Sequence, residues 1–251
     1  MAELDIDSLN AMSADELAER LAGSPEERAA IVRTAAEADV AQAQALYGQM
    51  LLDGVGVAKD ERAALAWFAK AANQNHILAI NMVGRCYELG WGTPVDKARA
   101  AQWYKAAADR GLDWGMYNYA TLLALGEGVA EDKRAALDWF RKAAGLGNAK
   151  SMNYIGSFYE DGWVVERDLD AAEEQYRMAA EGGDFRGQFN YARLRAEKGD
   201  VETALAWLAR VRETGTPAFM DKAEHWLRGS PIKALRDRGI AALLHGVETA
   251  A

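Results

Sequence analysis

Cysteine, proline and histidine are scarce in this sequence, and basic charge is in deficit. Cys86 is the single cysteine among 251 residues, so no disulfide can close within the chain and no multi-thiolate metal site can form. With only four prolines, long stretches carry no residue that would break a helix. The three histidines, His76, His225 and His245, form no His-Glu-x-x-His or other zinc spacing. Acidic residues outnumber basic ones 38 to 29, a formal charge of −9, which argues against a surface that tracks nucleic-acid phosphates. No apolar run approaches the ~20 residues that a membrane-spanning helix needs. The start, Met1-Ala2-Glu3-Leu4-Asp5-Ile6-Asp7, is acidic and lacks the basic region and apolar core of a secretory signal. The expectation is a soluble cytoplasmic protein with no membrane insertion, no nucleic-acid partner, no metal and no cofactor. What the chain does have is alanine, about a fifth of all residues, well above ordinary usage. Half of the residues are apolar, enough for a large helical core.

A period of 36 residues runs down the chain. Trp67-Phe68, Trp103-Tyr104 and Trp139-Phe140 recur at that step, and the next step lands on Gln175-Tyr176. Three further columns keep the same register: Gly54, Gly90, Gly126 and Gly162; Asp60, Asp96, Asp132 and Asp168; Ala64, Ala100, Ala136 and Ala172. A fixed period of this length marks a stack of supersecondary units. Each unit reads as a helical hairpin. Within residues 115–150, Met116, Tyr119, Leu122 and Leu123 keep helical spacing, and Gly126 ends that helix by taking the left-handed conformation. Asp132 is placed to cap the second helix, which carries Ala136, Trp139, Phe140 and Ala143 on one stripe. Gly48, Gly84, Ala120, Gly156 and Ala192 lie mid-way along the first helices, where their small size would let two helix backbones approach.

The ends follow the same scheme. Ser24-Pro25-Glu26-Glu27 is a capping box with proline in the first helical position. Residues 24–38 then read as the second helix of a degenerate leading unit, preceded by a short helix after Ser13. Asp200, Ala204, Trp207-Leu208 and Gly215 repeat the second-helix pattern, but Asp200 follows Asp168 by 32 residues, so one connection is shortened. A last hairpin holds Phe219, Ala223, Trp226 and Leu227, and Ser230-Pro231 opens another helix that caps the stack. The domain plan is therefore N-terminal capping helices over 1–40, four repeats over 41–186, a shortened fifth over 187–220 and capping helices over 221–251. The fold class is all-α, a right-handed α/α superhelical solenoid of stacked hairpins.

Tyr47-Gly48, Leu51, Gly54-Val55-Gly56-Val57, Asp60, Ala64, Trp67-Phe68 and Ala71-Ala72 together resemble the Sel-1-like repeat, a relative of the tetratricopeptide repeat with a longer connection inside the hairpin. The resemblance covers 41–186 in full units. Gln175 in place of Trp and Val164 in place of the second Gly depart from the pattern. The resemblance implies a non-enzymatic adaptor that binds another protein or peptide. Exported bacterial members often carry a disulfide in each repeat, and the paired cysteines are missing here, in keeping with a reducing compartment. Some exported relatives are proposed to hydrolyse β-lactams or cell-wall material, which makes a hydrolase the alternative reading.

The residues themselves offer that alternative little. Ser230-Pro231-Ile232-Lys233 matches Ser-x-x-Lys, but the companion Ser-Asp-Asn and Lys-Thr-Gly motifs do not occur. A serine N-cap followed by proline explains the tetrapeptide without chemistry. Gly54-Val55-Gly56 lacks the Gly-Lys-Ser/Thr ending of a phosphate loop and recurs as a turn. His76 is expected to be an ordinary solvated turn residue. The paired aromatics sit at core spacing and read as packing.

A binding surface is expected where first helices line the concave wall. With Tyr47, Met50 and Leu51 taken as core, one row runs Ala45, Asn81, Tyr117, Asn153 and Phe189. A second runs Gln49, Arg85, Thr121, Ser157 and Arg193, and a bordering set holds Leu46, Met82, Asn118, Tyr154 and Asn190. From these rows the partner-binding candidates are Asn81, Arg85, Tyr117, Asn118, Thr121, Asn153, Tyr154, Ser157, Phe189, Asn190 and Arg193. Their variation from unit to unit is also what an ordinary wet wall would show. Trp91 and Trp163, in the turns, either cover the neighbouring hairpin or form an edge contact. The polar stretch Arg236-Asp237-Arg238 argues against end-to-end stacking, so a monomer is expected.

Overall fold

The computed structural model describes residues 5–246, so the first four residues of the acidic start lie outside the described part. The chain divides into two compact units, Met1–Glu131 and Asp132–Ala251. In the first, α1 (Ile6–Asn10), α2 (Ala14–Leu21) and α3 (Pro25–Glu37) precede α4 (Ala41–Asp53), α5 (Glu61–Asn73), α6 (Ile77–Leu89), α7 (Lys97–Asp109) and α8 (Asp113–Leu125). The second holds α9 (Lys133–Gly145), α10 (Ala149–Asp161), α11 (Leu169–Glu181), α12 (Phe185–Glu197), α13 (Val201–Thr214) and α14 (Pro217–Gly229). A π-helical turn, Leu235–Gly239, then leads into α15 (Ile240–His245). Within each unit consecutive helices pack on one another, α4 on α5 and α6 on α7, α10 on α11 and α12 on α13. No strand occurs among the described residues. The architecture is a helical-repeat solenoid.

Local chemistry sets the helix lengths. Asp60, Asp96, Asp132 and Asp168 each accept hydrogen bonds in the first turn of α5, α7, α9 and α11, occupying N–H groups that have no intrahelical partner. Ser13 and Ser24 close complete capping boxes on α2 and α3. At the other end, Gly54, Gly90, Gly126 and Gly162 stop the first helices in the left-handed conformation. Val164 replaces the second glycine of its loop and still takes φ 53°, a conformation that costs a β-branched residue about 1–2 kcal/mol. Its three counterparts also settle the stacking in the first unit. A Cβ on Gly56, Gly92 or Gly128 would fall 2.0–2.3 Å from the backbone of Pro25, Glu61 or Lys97. Each connection therefore rests its main chain directly on the start of the preceding second helix.

Phe68, Tyr104, Phe140 and Tyr176 are buried to within 1%, and each contributes roughly 1.5–3 kcal/mol of apolar burial. Gly48, Gly84 and Gly156 receive the rings of Phe68, Tyr104 and Tyr176, since a Cβ there would meet ring carbons at 2.5–2.9 Å. What the small residues admit is a ring rather than a second backbone. The tryptophans beside these rings are only half-buried. Lys70, Lys142 and Arg210, three residues on, lie over Trp67, Trp139 and Trp207 at 4.0, 4.1 and 4.5 Å, so those indoles seal the outer edge of the core.

Three expectations need correction. His76 is no ordinary turn residue: its Nδ1 accepts from Ala79 N–H and caps α6, while Nε2 meets Gln42 at 2.7 Å. Ser230 is not an N-cap with proline as the first helical residue. It ends α14, its hydroxyl accepts from Ile232 N–H at 3.3 Å, and helix resumes only at Lys233. Phe189 does not line an inner wall. It is buried edge-on against Phe219 and Trp226 at 5.7 and 5.4 Å.

Candidate functional site

A first helix in this fold is covered on more than one side. Its own second helix takes the face of Tyr47, Gly48 and Leu51. A second flank meets the next first helix. Asn118 Nδ2 donates to Asn81 Oδ1 at 3.0 Å between α8 and α6, and Asn190 Nδ2 donates to Asn153 Oδ1 at 2.9 Å between α12 and α10. Asn81 and Asn153 are thereby buried at 7% and 6% exposure, their carbonyl oxygens occupied as buried polar atoms must be. The row expected to face solvent is thus the seam between neighbouring repeats.

What remains for solvent is a narrower stripe shifted by one residue. On α4 it is Gln42, Leu46, Gln49 and Asp53; on α6, Leu78, Met82, Arg85 and Leu89; on α8, Trp114, Asn118, Thr121 and Leu125. In the second unit it is Lys150, Tyr154, Ser157 and Asp161 on α10, and Arg186, Asn190, Arg193 and Glu197 on α12. The spacing of 4, 3 and 4 residues keeps each set on one helical face. The expected residues Arg85, Asn118, Thr121, Tyr154, Ser157, Asn190 and Arg193 lie on it, half-buried, and Tyr117 flanks it with its ring edge-on to Trp114 at 6.0 Å. Sequence reasoning missed Leu78, Leu89, Trp114 and Leu125, all exposed. The signal was available: Leu and Trp stand in columns that hold Gln, Asp, Lys, Arg or Glu in the other repeats.

Many of these polar groups are already committed. Thr121 donates to its own helix at Tyr117 O, 2.9 Å, and Ser157 lies 3.2 Å from Tyr176 Oη. Tyr154 stacks on Phe140 at 4.7 Å. Arg193 grips both carboxylate oxygens of Glu160 at 2.6 Å and reaches Glu197 at 3.1 Å. Burial opposes the charge on Arg193, but these partners outweigh it and its pKa rises.

The residues 41–76, 77–112, 115–148 and 149–184 each match the family model of the Sel1 repeat, over half of the chain in all. The chain belongs to the Sel1 repeat family. Among solved structures it is similar to a Sel1 repeat protein from Oxalobacter formigenes, 27% identical with a TM-score of 0.76 over 90% of this chain and 95% of that one. It is also similar to c5321, a protective antigen of uropathogenic Escherichia coli, at 27% identity and a TM-score of 0.66. That match takes in 88% of this chain but 50% of the antigen, so the chain spans half of its length. The immunity protein Pa5087 of Pseudomonas aeruginosa shares the fold at 19% identity, TM-score 0.55, over 78% of this chain and 75% of its own. No curated protein matches the chain significantly.

In this Sel1 repeat chain the two turn tryptophans are engaged at the repeat boundary. Trp91 packs against the core of the first unit and carries Arg85 over its ring at 4.8 Å. Trp163 stands edge-on to Phe158 at 5.5 Å, with Lys133 at 5.0 Å from its ring. Glu127, in the same column, meets Lys97 at 2.5 Å. An ion pair and a cation–π contact therefore serve the same junction. Reactive chemistry is not assembled at the motifs that suggested it. Ser230 is buried at 2% exposure, whereas the Lys233 side chain is 83% exposed and lies 3.7 Å from Asp237. Burial pushes the Cys86 thiol up to about 11, which holds it as an unreactive thiol. Among the described residues no His, Cys, Asp and Glu group is arranged for a metal ion, and no helix is long and apolar enough to cross a membrane.

Proposed function

We propose that this chain is a non-enzymatic, monomeric, cytoplasmic scaffold that holds a segment of a partner protein on the solvent stripe of its first helices. Sel1 repeats generally mediate protein–protein interaction, and their fold is typically a scaffold rather than an enzyme. The observation that carries the reading is the contrast between columns. Capping aspartates, turn glycines and ring positions repeat from unit to unit, while the stripe changes from Leu78, Met82, Arg85 and Leu89 to Lys150, Tyr154, Ser157 and Asp161. Exposed apolar side chains gathered on one face mark contact sites more often than isolated ones do. The lone buried thiol and the absence of paired cysteines support the cytoplasmic placement.

The test is capture from the native cell with the purified chain and with a Leu78→Ala/Trp114→Ala/Leu125→Ala variant. All three side chains are exposed, so the variant should keep its circular dichroism and melting temperature while losing a discrete set of partners. An unchanged capture profile from a folded variant sinks the stripe as the binding surface.

A further inference from the structure

Arg85 and Arg193 occupy the same position of the repeat, three periods apart, in opposite electrostatic circumstances. Arg193 is neutralised twice, by Glu160 on the preceding first helix and by Glu197 four residues on. The residues at those two positions around Arg85 are Leu52 and Leu89. Leu52 is buried, Leu89 is exposed, and neither carries charge. Among the described residues Arg85 reaches the Met82 sulfur at 3.7 Å and the face of Trp91 and forms no ion pair. Glu88, one turn along α6, already accepts the Tyr104 hydroxyl at 2.5 Å. Leu78, Met82 and Leu89 share its stripe on α6, and the stripe of the adjoining α8 carries Trp114 and Leu125 beside the uncharged Asn118 and Thr121. The Asn118–Asn81 bond holds those two helices side by side.

A half-buried guanidinium that meets no carboxylate among the described residues, with only the weak Met82 sulfur on Nη1 and an indole against its face, is complementary to one kind of group. A carboxylate accepts two parallel N–H bonds from it, and apolar neighbours exclude the water that would compete. We infer that Arg85 and the apolar stripe of α6 and α8 bind a partner segment in which an Asp or Glu side chain is flanked on both sides by apolar residues. This deepens the scaffold reading and rests on it. The partner's carboxylate takes the place that Glu160 and Glu197 fill around Arg193, and its apolar residues cover Leu78, Trp114 and Leu125.

A display library of random dodecapeptides, fused at the C-terminus so that no free terminal carboxylate is presented, is selected against the intact chain. The expected consensus has one acidic position between apolar ones. A synthetic consensus peptide should lose about tenfold or more in affinity when its acid becomes Gln, and similarly on Arg85→Glu in the protein, because a charge-assisted bond is at stake. An Arg85→Glu selection should replace the acidic position with Lys or Arg. Enriched peptides without an acidic position, or affinities that move less than twofold on Arg85→Glu while falling on Trp114→Ala, overturn this inference and leave the scaffold reading standing. No enrichment at all removes both. Circular dichroism on Arg85→Glu and Arg85→Ala excludes loss of fold as the cause of either result.

Discussion

The stripe of the Met1–Glu131 unit and that of the Asp132–Ala251 unit use the same helical positions and carry different chemistry. On α6 and α8 of the first, leucines and a tryptophan share the stripe with an arginine that forms no ion pair among the described residues. On α10 and α12 of the second, Lys150, Asp161, Arg186, Arg193 and Glu197 stand there, and Arg193 is locked to Glu160. The buried scaffolding beneath is nearly the same. Tyr176 Oη donates to Glu160 at 2.8 Å as Tyr104 Oη does to Glu88, and in both tyrosines burial first, then the carboxylate, pushes the phenol up. One repeat plan therefore leaves the surface free to diverge. A stripe whose arginine is already paired offers a carboxylate little, whereas a largely apolar stripe whose arginine is unpaired offers both area and direction.

The contrast can be broken from the connections first. Gly92→Val, which copies Val164 into the first unit, puts a Cβ only 2.3 Å from the Glu61 carbonyl oxygen. A loss of about 3 kcal/mol is expected, at the upper end for overpacking, and chemical denaturation would show it. Next comes the arginine pair. Arg193→Ala leaves Glu160 without its guanidinium and should cost about 2 kcal/mol, while Arg85→Ala should stay within about 0.5 kcal/mol. Equal losses would mean that Arg85 is a structural residue after all.

Asp184 gives a pH-dependent test. It caps α12 through Gly187 N–H at 2.8 Å, but its Oδ1 has no hydrogen-bond partner among the described residues, and burial raises its pKa despite the pull of Gly187 N–H, Arg186 and Lys150. Because the folded state holds this proton more tightly than the unfolded chain, its ionisation weakens the fold as pH rises through the raised pKa. Asn148, at the same position one repeat earlier, caps with an amide. Asp184→Asn should therefore stabilise the chain at pH 7 by about 0.5–1 kcal/mol, with the gain shrinking as pH falls towards the unfolded carboxyl range. A gain that grows on acidification would contradict the burial argument. The smallest effect is Val164→Gly, where relief of the left-handed backbone less the entropy of glycine leaves about 0.5 kcal/mol of stabilisation, readable as a small rise in melting temperature.

Much of the fold was legible because its devices are local. A capping aspartate, a left-handed glycine and a ring two turns into the helix each act within one hairpin, so the 36-residue register exposes them. Even the alternation of Phe68 and Phe140 with Tyr104 and Tyr176 follows a column that reads Leu52, Glu88, Ala124 and Glu160. The site was half legible. Dividing each first helix into a core face and an opposite face ignores the neighbouring first helix, which claims Asn81, Asn153 and their flank. That error pushed the expected row one residue off the true stripe and hid Leu78, Trp114, Leu89 and Leu125. Phe189 fell for the same reason, since the hairpin after it supplies Phe219 and Trp226 as cover. Val164 could be seen as a departure, but not that the loop would keep its turn and bear the strain.

The glycine connections of the first unit give the pile a direction of growth. Gly56, Gly92 and Gly128 each settle on a helix start that lies about thirty residues earlier in the chain. A newly made hairpin leaving the ribosome thus meets its berth already in place, never one still to be synthesised. Trimming from the front removes the berth at Pro25 on which Gly56 settles.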